Sequence, residues 1–256
     1  MNNNYILETH HLTKEFKGFT AVDDVSLNIR RGHIHALIGP NGAGKTTVFN
    51  LLTKYLIPTS GKILFNGRDI TAVESSAIAR QGLVRSFQIS AVFPNLTVLE
   101  NVRVALQQRE GNSFHFWKPE SVLDRLNERA EQLLEAVGLQ DFARVVTVDL
   151  SYGRKRALEI ATTLALDPEM LLLDEPTQGM GQEDVERTAD LIRTVAVNRT
   201  ILMVEHNLKV VSQLADRITV LQRGAVLTEG DYATVSADPR VREAYLGVAA
   251  DKEAVA

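Results

Sequence analysis

The sequence predicts an α/β protein with a helical insertion, and three observations carry that prediction. Short β-branched or apolar runs, Val25 to Ile29 and His33 to Ile38, alternate with longer stretches of helical period, as strands alternate with crossover helices. From about Asn95 to Leu166 strand-like runs vanish and amphipathic helix dominates, as in the segment from Ser121 to Leu134. Strand signals return at Met170 to Leu173 and Thr200 to Val204, apolar runs too short for helices and suited to strands covered on both faces.

Taken in order, the run His33 to Ile38 leads into a glycine-rich turn and a helix from about Lys45. Leu83-Val84-Arg85-Ser86-Phe87 is a third short strand-like run, followed by Gln88. In the insertion, Ser151 is placed to cap a helix whose Ala157, Ile160, Ala161 and Leu164 share one face, with a stop at Asp167-Pro168. Arg217 to Gly230 reads as a hairpin turning at Arg223-Gly224, and a short helical tail runs through Arg240 to Gly247. The last residues, from Asp251, have no bulky apolar anchor and are expected to fray.

Size and composition set the bounds. At roughly 150 residues per domain, the 256 residues are between one and two domains of material. The balance of 28 basic against 32 acidic residues, net −4, gives no basic field to attract a phosphodiester backbone, so nucleic acid is not an expected partner. The absence of cysteine removes disulfides, thiolate metal sites and thiol nucleophiles and suits a reducing compartment. The opening Met1 to Tyr5 lacks the basic and apolar regions of a secretory leader, so export is not expected. The longest apolar runs are far short of the roughly 20 residues a spanning helix needs, so if the protein serves a membrane another chain crosses it.

The chemistry lies in a few short motifs. Gly39-Pro40-Asn41-Gly42-Ala43-Gly44-Lys45-Thr46 fits G-x-x-x-x-G-K-[ST] and sits where that pattern requires, between a strand and a helix. Glycines let the backbone close around an anion so that successive N–H groups and the helix N-terminus point at it. Lys45 would neutralise β and γ phosphates, and the Thr46 hydroxyl would ligate Mg²⁺. Kinases, GTPases and ATPases share such a loop, so partner residues must decide the reaction. The strand Met170 to Leu173 ends in Asp174-Glu175, placing Asp174 to reach Mg²⁺ through its water shell and Glu175 to polarise an attacking water as general base. The strand Thr200 to Val204 ends in Glu205-His206, which sets an imidazole at the carboxyl edge of the sheet, where it could donate to a γ-phosphate. Tyr152-Gly153, in the first turn of the helix after Ser151, leaves bare N–H groups open to an anion.

The order of cradle, Gln88, Leu150-Ser151-Tyr152-Gly153-Arg154, acid pair and His206 resembles that of ATP-binding cassette (ABC) ATPases over nearly the whole chain. The resemblance implies a RecA-like P-loop NTPase core, an antiparallel β subdomain and an inserted α-helical subdomain. It divides one domain, 1–250, into a core of 1–88 and 160–230, a helical subdomain of about 89–159 and a helical tail, 231–256. It implies ATP and Mg²⁺ as ligands. Gly39, Asn41, Gly42, Ala43, Gly44, Lys45, Thr46 and Thr47 would hold the phosphates, and Thr46, Gln88 and Asp174 the metal. Glu175, His206 and Gln88 would serve catalysis as base, switch histidine and Q-loop glutamine. Phe16 matches the aromatic that stacks on adenine, with Phe19 the rival candidate. Ser151 and Gly153 would contact the γ-phosphate held by an opposite subunit, so two cassettes pair head to tail as a homodimer or a heterodimer.

Two positions depart from the family pattern. Its Ser-Gly-Gly-Gln reads Ser151-Tyr152-Gly153-Arg154, a form familiar in some importers, and Gly181 stands where an Asp is usual. Arg85 to Gln88, Leu96 to Asn101, Asp174 to Met180, Val204 to Asn207 and Asp238 to Gly247 look like ATP-binding subunits of branched-chain amino acid importers, LivG type. Urea and short-amide importers and lipopolysaccharide-export cassettes share parts of this pattern. The resemblance implies two permease chains, a periplasmic solute-binding protein and a cytoplasmic, membrane-peripheral location. Phe114-His115-Phe116-Trp117 would either dock a permease helix or fold back on its own helices. His33 and His35 point the same way on one strand and are expected to be packing residues, since two ligands do not make a metal site.

Overall fold

The computed structural model describes residues 4–86, 92–109 and 125–245. β1 (Tyr5–Phe16) and β2 (Phe19–Arg30) form a long hairpin whose turn, Lys17-Gly18, has positive φ at both residues, the twist a two-residue antiparallel turn demands. β3 (Ile34–Ile38) is buried throughout and leads through the glycine-rich loop into α1 (Lys45–Leu52). β4 (Ser60–Phe65) and β5 (Arg68–Asp69) complete a four-stranded antiparallel sheet in the order β2-β1-β4-β5. α2 (Ser75–Arg80) and β6 (Leu83–Ser86) follow.

The insertion is helical, as expected: α3 (Val98–Arg109), α4 (Asn127–Ala136) and α5 (Tyr152–Leu164) pack on one another. The entry to α3 shows why its sequence starts there. Thr97 Oγ1 accepts from the Glu100 amide at 3.2 Å, while Glu100 Oε2 accepts from the Thr97 amide at 2.6 Å, a reciprocal cap. Buried Asn101 bonds both the N–H and the carbonyl of Phe93 and the hydroxyl of Thr147, tying the start of α3 to the loop before α5.

β7 (Met170–Asp174), α6 (Gln182–Val195), β8 (Thr200–Val204), α7 (Leu208–Leu214), β9 (Arg217–Gln222), β10 (Ala225–Gly230) and α8 (Tyr232–Ala237) complete the chain, with a last helical turn over 239–245. The second sheet runs β10-β9-β3-β8-β7-β6, parallel from β9 to β6 with β10 antiparallel at one edge. Alternate residues of its strands supply two cores. Leu37, Leu172, Leu202 and Val204 join α1 and the inner face of the antiparallel sheet, whereas Ala36, Leu171, Leu173 and Met203 join the helices α3 to α7. Burial on both faces is why the parallel strands are continuous apolar runs.

Two expectations need correction. Ser151 does sit at the N-cap of α5, but its side chain makes no capping hydrogen bond. His33 and His35 do not share a strand: His33 precedes β3 and is half-buried, while His35 lies within β3, 1% exposed, with Nε2 2.8 Å from Thr219 Oγ1.

Candidate functional site

The site lies at the carboxyl ends of three adjacent strands, β3, β8 and β7, the place where open parallel sheets bind ligands. From β3 the chain enters the cradle. Gly44 caps α1 with φ 99°, a left-handed conformation that leaves no room for a side chain, since a Cβ there would come within 2.6 Å of the Ala21 carbonyl oxygen. Gly39 is as constrained, because its Cβ would meet the Leu221 carbonyl oxygen at 2.3 Å. The loop is thus wedged between β2 and the β9–β10 hairpin, whose Gly224 amide bonds the Ala43 carbonyl at 3.1 Å. The sequence marked the hairpin and part of β2 as elements but not their place against this loop. Asn41, Gly42 and Thr46 are exposed and Thr47 is half-buried, and the first turn of α1 holds no acidic residue, so its amides stay open to an anion.

Lys45 is buried and folds back on the loop, its Nζ donating to the carbonyls of Gly39 at 2.6 Å and Pro40 at 3.0 Å. Burial lowers its pKa, and the nearby carboxylates of Glu175 and Asp174 oppose that shift. The ammonium and the acid pair therefore share one field.

Asp174 ends β7 with its carboxylate on Arg85, whose Nη2 lies 2.5 Å from Asp174 Oδ2. Glu175 adopts φ 46°, the left-handed region that non-glycine residues avoid, and its amide is pinned to the Val204 carbonyl at 2.9 Å. His206 stands opposite, with Nδ1 3.8 Å from Glu175 Oε1. Glu205 holds this pair together. Fully buried, it accepts from the Thr177 amide and hydroxyl through one oxygen and from the His206 and Asn207 amides, at 2.7 and 3.0 Å, through the other. The sequence showed Glu205 only as a neighbour of the histidine; its four donors come from two separate loops.

Phe16 and Phe19 face each other across the β1–β2 turn, 41% and 66% exposed, so both rings are open to a base. The Lys14 ammonium lies 5.1 Å from the centre of the Phe16 ring. At α5, Ser151 and Tyr152 are exposed, and the first turn holds no acidic residue. The Tyr152 hydroxyl donates to the Gln178 carbonyl at 3.1 Å, linking this turn to the loop after the acid pair. Arg154, the departure from the family pattern, stacks on Phe142 at 4.0 Å from the ring centre. Gln88 and Phe114 to Trp117 lie outside the described residues.

The donors present fit a hydrated Mg²⁺ rather than a caged metal. Among the described residues no three His, Asp or Glu side chains converge, while Thr46 is exposed at the start of α1 and the Asp174 carboxylate lies near enough to Lys45 to act on its charge. Mg²⁺ is commonly held in that way, by one or two protein oxygens together with substrate phosphates.

Residues 22–178 match the profile described as ABC transporter. The chain belongs to the ABC transporter family. As an ABC cassette it is an ATPase subunit, and the α/β P-loop fold expected from its sequence is the fold observed. A second profile, described as Branched-chain amino acid ATP-binding cassette transporter, matches residues 225–251 of the cassette. The high-affinity branched-chain amino acid transport ATP-binding protein BraF of Pseudomonas aeruginosa is 38% identical, over 95% of this chain and 98% of its own. LivG of Escherichia coli, bearing the same description, is 39% identical over 95% of this chain and 98% of its own. Among solved structures, the ADP conformation of MJ1267, an ATP-binding cassette of an ABC transporter, superposes with a TM-score of 0.83 at 29% identity, covering 95% of this chain and 99% of that one. A dimeric post-hydrolysis state of the cassette MJ0796, bound to ADP and Pi, gives 0.73 at 25% identity, covering 88% and 98%.

Proposed function

We propose that this chain hydrolyses ATP with Mg²⁺ to drive uptake of branched-chain amino acids through two separate permease subunits, working as a pair of cassettes at the cytoplasmic face of the membrane. The observation that supports the chemistry is the convergence of Lys45, Asp174, Glu175 and His206 at neighbouring strand ends, with the Lys45 ammonium in the field of both acids and the imidazole 3.8 Å from Glu175. In this reading Gly39 and Asn41 to Thr47 wrap the phosphates, Phe16 stacks on adenine, and Thr46, Asp174 and Gln88 face the metal. Bound there, Mg²⁺ would neutralise charge on the phosphate oxygens. Glu175 takes a proton from the attacking water, and His206 donates to the γ-phosphate as charge builds on it. Ser151 and Gly153 offer the uncapped amides of α5 to the nucleotide of the opposite cassette.

The division into a core of 1–88 and 160–230, a helical subdomain of about 89–159 and a tail from 231 belongs to the same reading. A groove of about 560 Å³ between α2, β6 and the turn after α1 on one side and α3 and α5 on the other is where a permease segment would seat. Branched-chain amino acids are preferred over urea, short amides or lipopolysaccharide because relatives spanning 95% of the chain carry that cargo in their descriptions. A periplasmic solute-binding protein would deliver it. Glu175→Gln should lower steady-state ATPase by at least about 100-fold while ATP binding stays within about threefold of wild type. Hydrolysis surviving that substitution would remove Glu175 from the role of base.

A further inference from the structure

Arg85 projects from β6, the edge strand of the parallel sheet, into two surroundings at once. It lines the groove between the core and the helical insertion. Its guanidinium is also fixed by two bonds, Nη1 to Asn50 Oδ1 of α1 at 2.7 Å and Nη2 to Asp174 Oδ2 at 2.5 Å. The rings of Phe49 and Tyr55 lie 5.8 and 5.9 Å from its centre. Arg85 and Asp174 side chains are only 13% and 11% exposed, so water screens this pair weakly. Register explains the contact. Arg85 pairs with Leu172, and Asp174 lies two residues further along β7 on the same face.

We propose that Arg85 is a positioning residue for nucleotide hydrolysis: by gripping one oxygen of Asp174 it fixes the rotamer that turns the other toward the metal bound with ATP. The proposal rests on reading Asp174 as the carboxylate facing that metal. The planar fork of arginine suits the task, since one arm is anchored on Asn50 while the other sets the acid; a lysine ammonium would keep the charge and lose the fork. A second arginine completes the grip. Arg156 of α5, paired with buried Glu159, donates through Nη2 to the Asp174 backbone carbonyl at 3.0 Å, so main chain and side chain of this residue are held separately.

The test uses the full chain carrying Glu175→Gln, so that nucleotide is not consumed, with Arg85→Gln, Arg85→Lys or Asp174→Asn added. A fluorescent ATP analogue is titrated in Mg²⁺ and again in EDTA. Arg85→Gln should weaken binding in Mg²⁺ by about tenfold, the effect typical of removing a partner of a metal-facing group, and change binding in EDTA by less than about twofold. Arg85→Lys should recover part of the loss, and Asp174→Asn should reproduce it. Equal weakening with and without Mg²⁺, or none, in Arg85→Gln beside a selective loss in Asp174→Asn would overturn the role of Arg85 and leave that of Asp174 standing. An unchanged Mg²⁺ dependence in Asp174→Asn would overturn both. Should Arg85→Gln not fold, Arg85→Lys decides by the same two titrations, a selective loss supporting the proposal and an equal or absent one refuting it.

Discussion

His35 shows what a single buried side chain does to the stability of this cassette. Its ring is enclosed in β3, and its neighbour Thr219 donates onward to Glu229 Oε2 at 2.9 Å. Burial lowers the imidazole pKa to about 4; the Glu229 carboxylate opposes that shift and Arg217 adds to it. The unfolded chain, with an ordinary histidine near 6.5, therefore takes up the proton first as pH falls. Stability from this residue is complete above that value and is lost progressively down to about pH 4, by an order of 2 to 3 kcal/mol. Urea midpoints measured from pH 7 to 4.5 should fall accordingly, and His35→Asn, less stable at pH 7, should show a flatter profile. At this scale the sequence was legible where chemistry is written contiguously: the glycines, Lys45, the acid pair and His206. Arg85, Arg156 and Glu205 were silent, because each gains its meaning from a partner far away in the chain, such as Asp174 or Thr177, that only the fold brings near.

At the scale of elements, α6 carries the departure from family pattern at Gly181. This glycine caps the helix with φ −69° and ψ 162°, an ordinary extended conformation, and a Cβ there would meet nothing within 4 Å. Any residue fits, and the α6 cap merely lacks an acceptor for its first amides. Gly181→Asp should supply one, adding a few tenths of a kcal/mol and raising the Tm by about 1 °C, as calorimetry can read. Element legibility followed pattern strength. The parallel strands were plain from their apolar runs, whereas β1 was not, because its register shifts between Thr9 and Leu12 around a left-handed His11, which breaks the alternation that marks a strand. β4, β5 and α2 are short, and their burial depends on what covers them.

For the molecule as a whole, the sheet order sets the phosphate loop, the acid pair and the histidine side by side, while the uncapped N-terminus of α5 is exposed at Ser151 and Tyr152. In the proposed reading that end of α5 meets the nucleotide of a second cassette, although the Asp184 carboxylate of α6 lies beside Gly153 there. The Glu175→Gln chain should therefore sediment as a dimer with Mg-ATP and as a monomer with ADP, and Ser151→Arg should block the dimer while sparing ATP binding. Failure to dimerise in any nucleotide would require Ser151 to act otherwise.

Glu205 constrains how such a machine can open. One oxygen grips the loop that follows Glu175 and the other grips the backbone of His206 and Asn207. Glu175 and His206 are accordingly bolted to one plate, and in the proposed cycle the parting of two cassettes would swing that plate whole, with the flexing confined to segments this carboxylate does not touch.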